Sequence, residues 1–235
     1  LSDGRAADPA ARLSAMGYTL APGVSFCRVS DRMMFLDIKA DRYFCLSSTA
    51  EQSFARLIDG APTTEEDEII LASLARHGPL TDGSHGGPLV PCLATVATRT
   101  APPGLAIPLR PAQLLLAAGS LALAPLRLRL FGLTGVIRAL QARKAQATIP
   151  EPHDRELTAT AAAFAQLRYV ATAHDRCLTR SIALASRLYA QGLSAELVLG
   201  VQLRPFAAHA WVQAGDRVLN DRVDVVRDFT PILVV

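Results

Sequence analysis

Residues 176–221 read RCLTRSIALASRLYAQGLSAELVLGVQLRPFAAHAWVQAGDRVLND, and within them Cys177, His209 and Asp221 follow one another at intervals of 32 and 12 residues. A thiol, an imidazole and a carboxylate in that order fit an activated cysteine nucleophile. The local patterns give the order structural content. Asp175 can cap a helix whose apolar face runs through Leu178, Ile182, Ala185 and Tyr189 and which Gly192 ends. Cys177 then lies in the first turn, where unpaired N–H groups and the positive end of the helix dipole favour thiolate over thiol. One of those N–H groups, that of Cys177 itself for instance, is a candidate oxyanion donor. The competing reading of Cys177 is an inert buried cysteine.

The sequence after the helix is strand-like. Residues 195–203 are aliphatic and β-branched, Arg204-Pro205-Phe206 interrupts them, and residues 208–213 alternate with His209, Trp211 and Gln213 on one face. Gly215-Asp216 signals a turn, and residues 217–221 return. A three-residue loop at 214–216 sets His209 opposite Asp221 and Trp211 opposite Leu219, with Cβ atoms about 5 Å apart. A two-residue loop at 215–216 shifts the register and removes that pairing. The three-residue loop is therefore expected. It makes Asp221 the orienting carboxylate, turns Asn220 to the other face and leaves Asp224 as the reserve candidate. Trp211 reads as a shield over the site or as a core aromatic. A satisfied core histidine is the competing reading of His209.

These motifs, namely C-L-x-R-S at 177–181, the Gly200-Val201 pair and PFAAHAWV at 205–212, closely resemble the cysteine-protease domain of lasso peptide B proteins. The likeness covers roughly residues 150–235. It implies a papain- or transglutaminase-like α+β domain with Cys177 as nucleophile, His209 as general base and acid, and Asp221 as orienter. It also implies removal of the leader from a ribosomally made precursor peptide. A partner cyclase that uses ATP would then join the freed amino group to a side-chain carboxylate.

Near the N-terminus, residues 24–29, 33–39 and 42–46 read as three antiparallel strands, with Ala40-Asp41 as a turn. Ser47 or Ser48 caps a helix, with Glu51 in capping-box position if Ser48 is the cap, and Gly60 ends it. Thr63 or Thr64 caps a second helix that ends near Gly78. Together with DRYFCLSSTAEQSFARLIDG at 41–60, this order resembles the PqqD-like recognition element of peptide-modifying systems, a winged-helix domain. The resemblance implies that a leader peptide adds as a strand beside Tyr43, Phe44, Cys45 and Leu46 and packs on the helix bearing Leu71 and Leu74. This chain departs from the usual pattern, since only one helix fits between Thr63 and Gly78. A winged-helix module without a ligand is the alternative.

The expected domain plan is a disordered tail (1–15), a leader-recognition domain (16–80), a Gly/Pro/Ser/Thr-rich linker (81–110) holding His85 and Cys92 in solvated loops, and the protease domain (111–235). Helices at 111–147, interrupted near Pro125 and Gly132, connect the two domains, and a further helix at 151–168 leads toward the site. Half of the 235 residues are hydrophobic and 19% are charged, which suffices for real cores. A net charge of +3, and a second helix carrying Glu65, Glu66, Asp67 and Glu68, argue against nucleic acid as a partner. Cys27, Cys45, Cys92 and Cys177 form no C-x-x-C pair, so no metal site is expected, and the chemistry calls for no cofactor. The first residues lack a charged-then-apolar pattern, so reduced thiols and a cytoplasmic location are expected. The apolar run 112–126 is short for a membrane span, but its basic continuation leaves peripheral membrane association open. The function expected is leader hydrolysis. Transglutaminase-like acyl transfer and a non-catalytic peptide-binding scaffold are the alternatives.

Overall fold

The computed structural model describes residues 17–82, 87–101, 109–146, 154–167 and 177–235. The chain forms two compact units that divide after Cys92.

The first unit is built on β1 (Tyr18–Leu20), β2 (Val24–Val29), β3 (Arg32–Asp37), β4 (Arg42–Cys45), α1 (Ser48–Asp59), α2 (Glu65–His77) and β5 (Leu80–Asp82). The sheet β2-β3-β4 is antiparallel throughout, with Phe35 opposite both Phe26 and Phe44. Phe54 of α1 meets Phe26 and Phe35 at 5.2 Å between ring centroids, an edge-on contact that aromatic quadrupoles favour. Ser47 is the N-cap of α1, so Glu51 does not complete a capping box. Its carboxylate instead accepts the Met33 N–H and the Arg32 Nε–H, the latter at 2.7 Å, and ties the helix to the start of β3. Thr64 and Asp67 form the capping box of α2.

Strands β1 and β5 pair with each other and bring Leu20 and Leu80 into the first core, which Leu89 from the following segment joins. The Cys92 N–H donates to the Phe26 carbonyl at 2.7 Å. These contacts correct the expected linker, whose first part closes the first unit, and Cys92 is docked rather than solvated. His85 lies outside the described residues.

The second unit contains β6 (Arg99–Thr100), α3 (Pro111–Gln146), α4 (Asp154–Leu167), α5 (Cys177–Ala190), β7 (Glu196–Leu203), β8 (Phe206–Ala214), β9 (Arg217–Val218), α6 (Val223–Val226) and β10 (Thr230–Val234). Its sheet runs β10-β7-β8-β9-β6, antiparallel except for the β6–β9 pair. The end of the expected linker is thus an edge strand. Helix α5 packs on β7 and β8, and α3 and α4 pack on α5. Position α5 is central enough that Ser181 through Ser186 are all buried. Helix α3 continues through Pro125 and breaks at Gly132, whose φ of 64° and ψ of 178° are non-helical. After the break Leu133, Val136, Ile137 and Leu140 are buried; before it Leu115, Leu130 and Phe131 stand exposed. By length and composition alone α3 would suffice to cross a membrane, and only 11% of its most apolar window is buried.

Candidate active site

Cys177 is the first residue of α5, His209 lies in β8, and Asp221 follows β9. The residue proposed to cap α5, Asp175, lies outside the described residues. His209 Nε2 is 2.6 Å from Asp221 Oδ2. The ring also lies close enough to the Cys177 thiol that each group shifts the titration of the other. The three residues that the sequence singled out are therefore in one contact chain.

The predicted hairpin register is not the one observed. The turn holds only Gly215 and Asp216, and Ala214 pairs with Arg217 and Gln213 with Val218. A straight continuation would set Arg222 opposite His209 and turn Asp221 to the other face. The strand does not continue. Its main chain follows the ladder only as far as the Leu219 N–H, which donates to the Val212 carbonyl at 2.8 Å. The reciprocal bond of such a pair would run from the Val212 N–H to the Leu219 carbonyl. That N–H donates instead to Asn220 Oδ1 at 2.8 Å. The backbone thus leaves the ladder, and Asp221 returns toward His209 in spite of the even loop. Its second oxygen accepts the Arg222 N–H at 2.7 Å.

Asp224, the reserve candidate, is bound to the Arg222 guanidinium and does not engage His209. Asn220 does more than face away. Its Nδ2 donates to Ser181 Oγ at 2.8 Å, and Ser181 Oγ donates to the Ala210 carbonyl at 2.9 Å. The sequence reading passed over Ser181; its place four residues after Cys177, on the same helix face, was the available signal.

Aromatic rings set the histidine's surroundings. The His209 ring lies 5.1 Å from that of Phe229 and 6.2 Å from that of Trp211. Trp211 is a core residue, only 3% exposed, and its Nε1 donates to Gln213 Oε1 at 2.8 Å. Gly200 pairs with His209 across β7 and β8. A Cβ there would come within 2.7 Å of the Trp211 ring and 2.9 Å of the Phe229 side chain, so glycine keeps room for both.

The electrostatics distinguish Cys177 from the Cys27 and Cys45 thiols. The His209 hydrogen bond lowers its pKa against the opposing effect of burial, and backbone N–H groups of Ala210 and Leu178 add to the lowering. Burial pushes the Cys27 thiol up to about 12 and raises that of Cys45 as well. His209 is raised to about 9, first by Asp221 and then by Cys177. Burial pushes the Asp221 carboxyl up, but the bonds from His209 and the Arg222 N–H outweigh it and leave it below the ordinary range. The arrangement favours the thiolate–imidazolium pair over the neutral thiol and imidazole.

The residues proposed to meet a leader are spread more widely. Tyr43, Phe44 and Cys45 lie on β4, the terminal strand of its sheet, and are half-buried. Leu46 is 8% exposed and Leu71 is fully buried. Leu71 is thus a core residue and presents no surface to a peptide, which corrects its proposed role. Leu74 packs against the same core.

A model of the transglutaminase-like superfamily matches residues 120–234. Among curated proteins, the microcin J25-processing protein McjB of Escherichia coli is 47% identical over 45 residues, 19% of this chain and 22% of that protein. The match therefore spans about a fifth of that relative's length. No solved structure matches the chain.

Proposed function

We propose that this chain, whose residues 120–234 form a transglutaminase-like domain, is a leader peptidase of lasso peptide biosynthesis. The observation that carries the reading is the contact chain Cys177–His209–Asp221, with the thiol at a helix start and the imidazole held by a carboxylate at 2.6 Å. The local identity to a microcin-processing protein supports a precursor peptide as the substrate class.

The raised His209 and lowered Cys177 favour a proton on the imidazole before attack, which refines the simple general-base picture. The Cys177 thiolate adds to the carbonyl carbon of the leader–core amide. The C–N bond breaks as the His209 imidazolium gives its proton to the departing core amine. His209 then takes a proton from water, whose oxygen attacks the thioester, releasing the leader acid and restoring the thiolate. Asp221 holds the ring and its charge throughout.

Leader recognition is assigned to the first unit. Of the two sheet edges there, that of β2 is engaged at Phe26 by the Cys92 N–H, and β4 is the other end of the sheet. An extended peptide added beside β4 would run past Tyr43, Phe44 and Cys45.

The test is incubation with the precursor peptide and mass measurement of the products. Wild-type protein should release leader and core with the mass of one added water, and Cys177→Ala should release neither. Cleavage that survives Cys177→Ala would overturn the mechanism. The superfamily assignment favours one other outcome, acyl transfer. It would appear as a leader–amine conjugate when a primary amine is supplied.

A further inference from the structure

We propose that Asn220 and Ser181 form a positioning latch that sets the Cys177–His209–Asp221 geometry; the assignment rests on the peptidase reading above for its role in turnover. Three observations carry it. First, the hairpin register alone would point Asp221 away from His209, because the turn has two residues and Gln213 pairs with Val218. The Asn220 side chain replaces the Leu219 carbonyl as acceptor for the Val212 N–H, and it is at this replacement that the backbone leaves the ladder. Second, the other end of the same amide holds Ser181 Oγ, which in turn holds the Ala210 carbonyl. Ser181 is 0% exposed and lies one helical turn from Cys177. Third, the atoms engaged belong to the three elements that bear the reacting groups: α5 with the thiol, β8 beside the imidazole, and the turn whose next residue is Asp221.

One side-chain amide thus joins nucleophile helix, histidine strand and carboxylate turn. Its oxygen accepts and its nitrogen donates, so neither Asp nor Leu of similar size can replace both functions. The latch touches no reacting atom and acts through Asp221 and His209. Removing it frees Asp221 to follow the strand, loosens the imidazole and weakens its hold on the thiolate. Because misplacement by about 1 Å costs on the order of 100-fold in rate, kcat should fall roughly 10- to 100-fold in Asn220→Ala with KM little changed.

The experiment measures the pH dependence of iodoacetamide alkylation at Cys177, followed by mass spectrometry of its peptide, in full-length wild type, Asn220→Ala, Ser181→Ala and the double variant. Precursor cleavage and thermal melting are measured in parallel. In both single variants the acid limb of alkylation should move up toward the ordinary thiol value of about 8.5. The double variant should be no worse than Asn220→Ala, because the two residues act as one unit. Ser181→Ala leaves the Asn220–Val212 bond intact and keeps the test available if Asn220→Ala does not fold. Folded variants whose alkylation profiles superimpose on wild type, or whose effects add independently, overturn the latch. Alkylation needs no peptide substrate. A shifted profile in a protein that cleaves no precursor would therefore keep the latch and remove the peptidase reading.

Discussion

The titration of two side chains governs what the residue triad can do with pH. His209 keeps its proton up to about 9, chiefly because Asp221 accepts its hydrogen bond, while Cys177 loses its proton below the ordinary thiol range. Cleavage needs both the thiolate and the proton that leaves with the amine. The pH–rate profile of kcat/KM should therefore rise from the acid side as Cys177 ionises and fall on the alkaline side near 9 as His209 deprotonates. Asp221→Ala removes the main cause of the raised imidazole, so the alkaline limb should move down toward the unperturbed value of about 6.5. The rate should drop by roughly 10²- to 10⁴-fold. Asp224→Ala should leave both limbs in place, because Asp224 is bound to Arg222. A profile of Asp221→Ala that overlays wild type would remove Asp221 from the site. The three reacting residue types were legible because each sits in a local pattern: a helix start, an alternating strand, a return after a turn. The pairing of Asn220 with Ser181 was not, since an amide and a hydroxyl 39 residues apart are brought together only by the fold.

At the scale of elements, what was legible is what local chemistry specifies. The strands of the first sheet are divided by turn residues such as Ala40-Asp41, Ser47 and Thr64 cap their helices, and Gly60 ends α1 with a φ of 64°. The missed elements are short and depend on distant partners. Strand β6 is two exposed residues that acquire strand geometry only by lying against Arg217–Val218. β1 needs β5, and β10 needs the edge of β7. The loop length in the hairpin failed for a related reason: a side chain, rather than the main chain, ends the ladder. Gly200 shows how an element carries a packing demand that its own sequence barely announces. A single methyl group there meets the Trp211 ring at 2.7 Å and the Phe229 Cβ at 2.9 Å. Both rings flank His209, so they have nowhere to retreat without moving the imidazole. Gly200→Ala should cost about 1–3 kcal/mol in urea unfolding, the usual range for overpacking, and should lower cleavage alongside. An alanine variant with wild-type stability would mean that the rings relax freely and that the glycine is not required there.

For the whole molecule, the proposed division of labour rests on each unit having its own core. Phe26, Phe35, Phe54 and Leu71 build one, and Val198, Trp211, Val218 and Val226 belong to the other. The contacts that assemble the Cys177 site come from residues 177–235, and the strand that the sequence mistook for linker, β6, closes the sheet of that same unit. A chain of residues 93–235 should therefore fold and keep the Cys177 alkylation profile of the full protein. What it should lose is the hold on the leader. Binding energy from a remote part of a substrate that is equal in ground and transition states affects KM and leaves kcat unchanged. With a leader-bearing precursor, removal of residues 1–92 should raise KM at least tenfold while kcat at saturation stays within a few-fold, since a lost peptide strand of modest affinity is worth about 1.4 kcal/mol or more. With a short peptide that spans only the cleavage site, the two proteins should cleave alike. The opposite pattern, an unchanged KM with a collapsed kcat, would show that the first unit completes the catalytic geometry instead of presenting the substrate. Steady-state cleavage of both peptides by both chains separates the two roles.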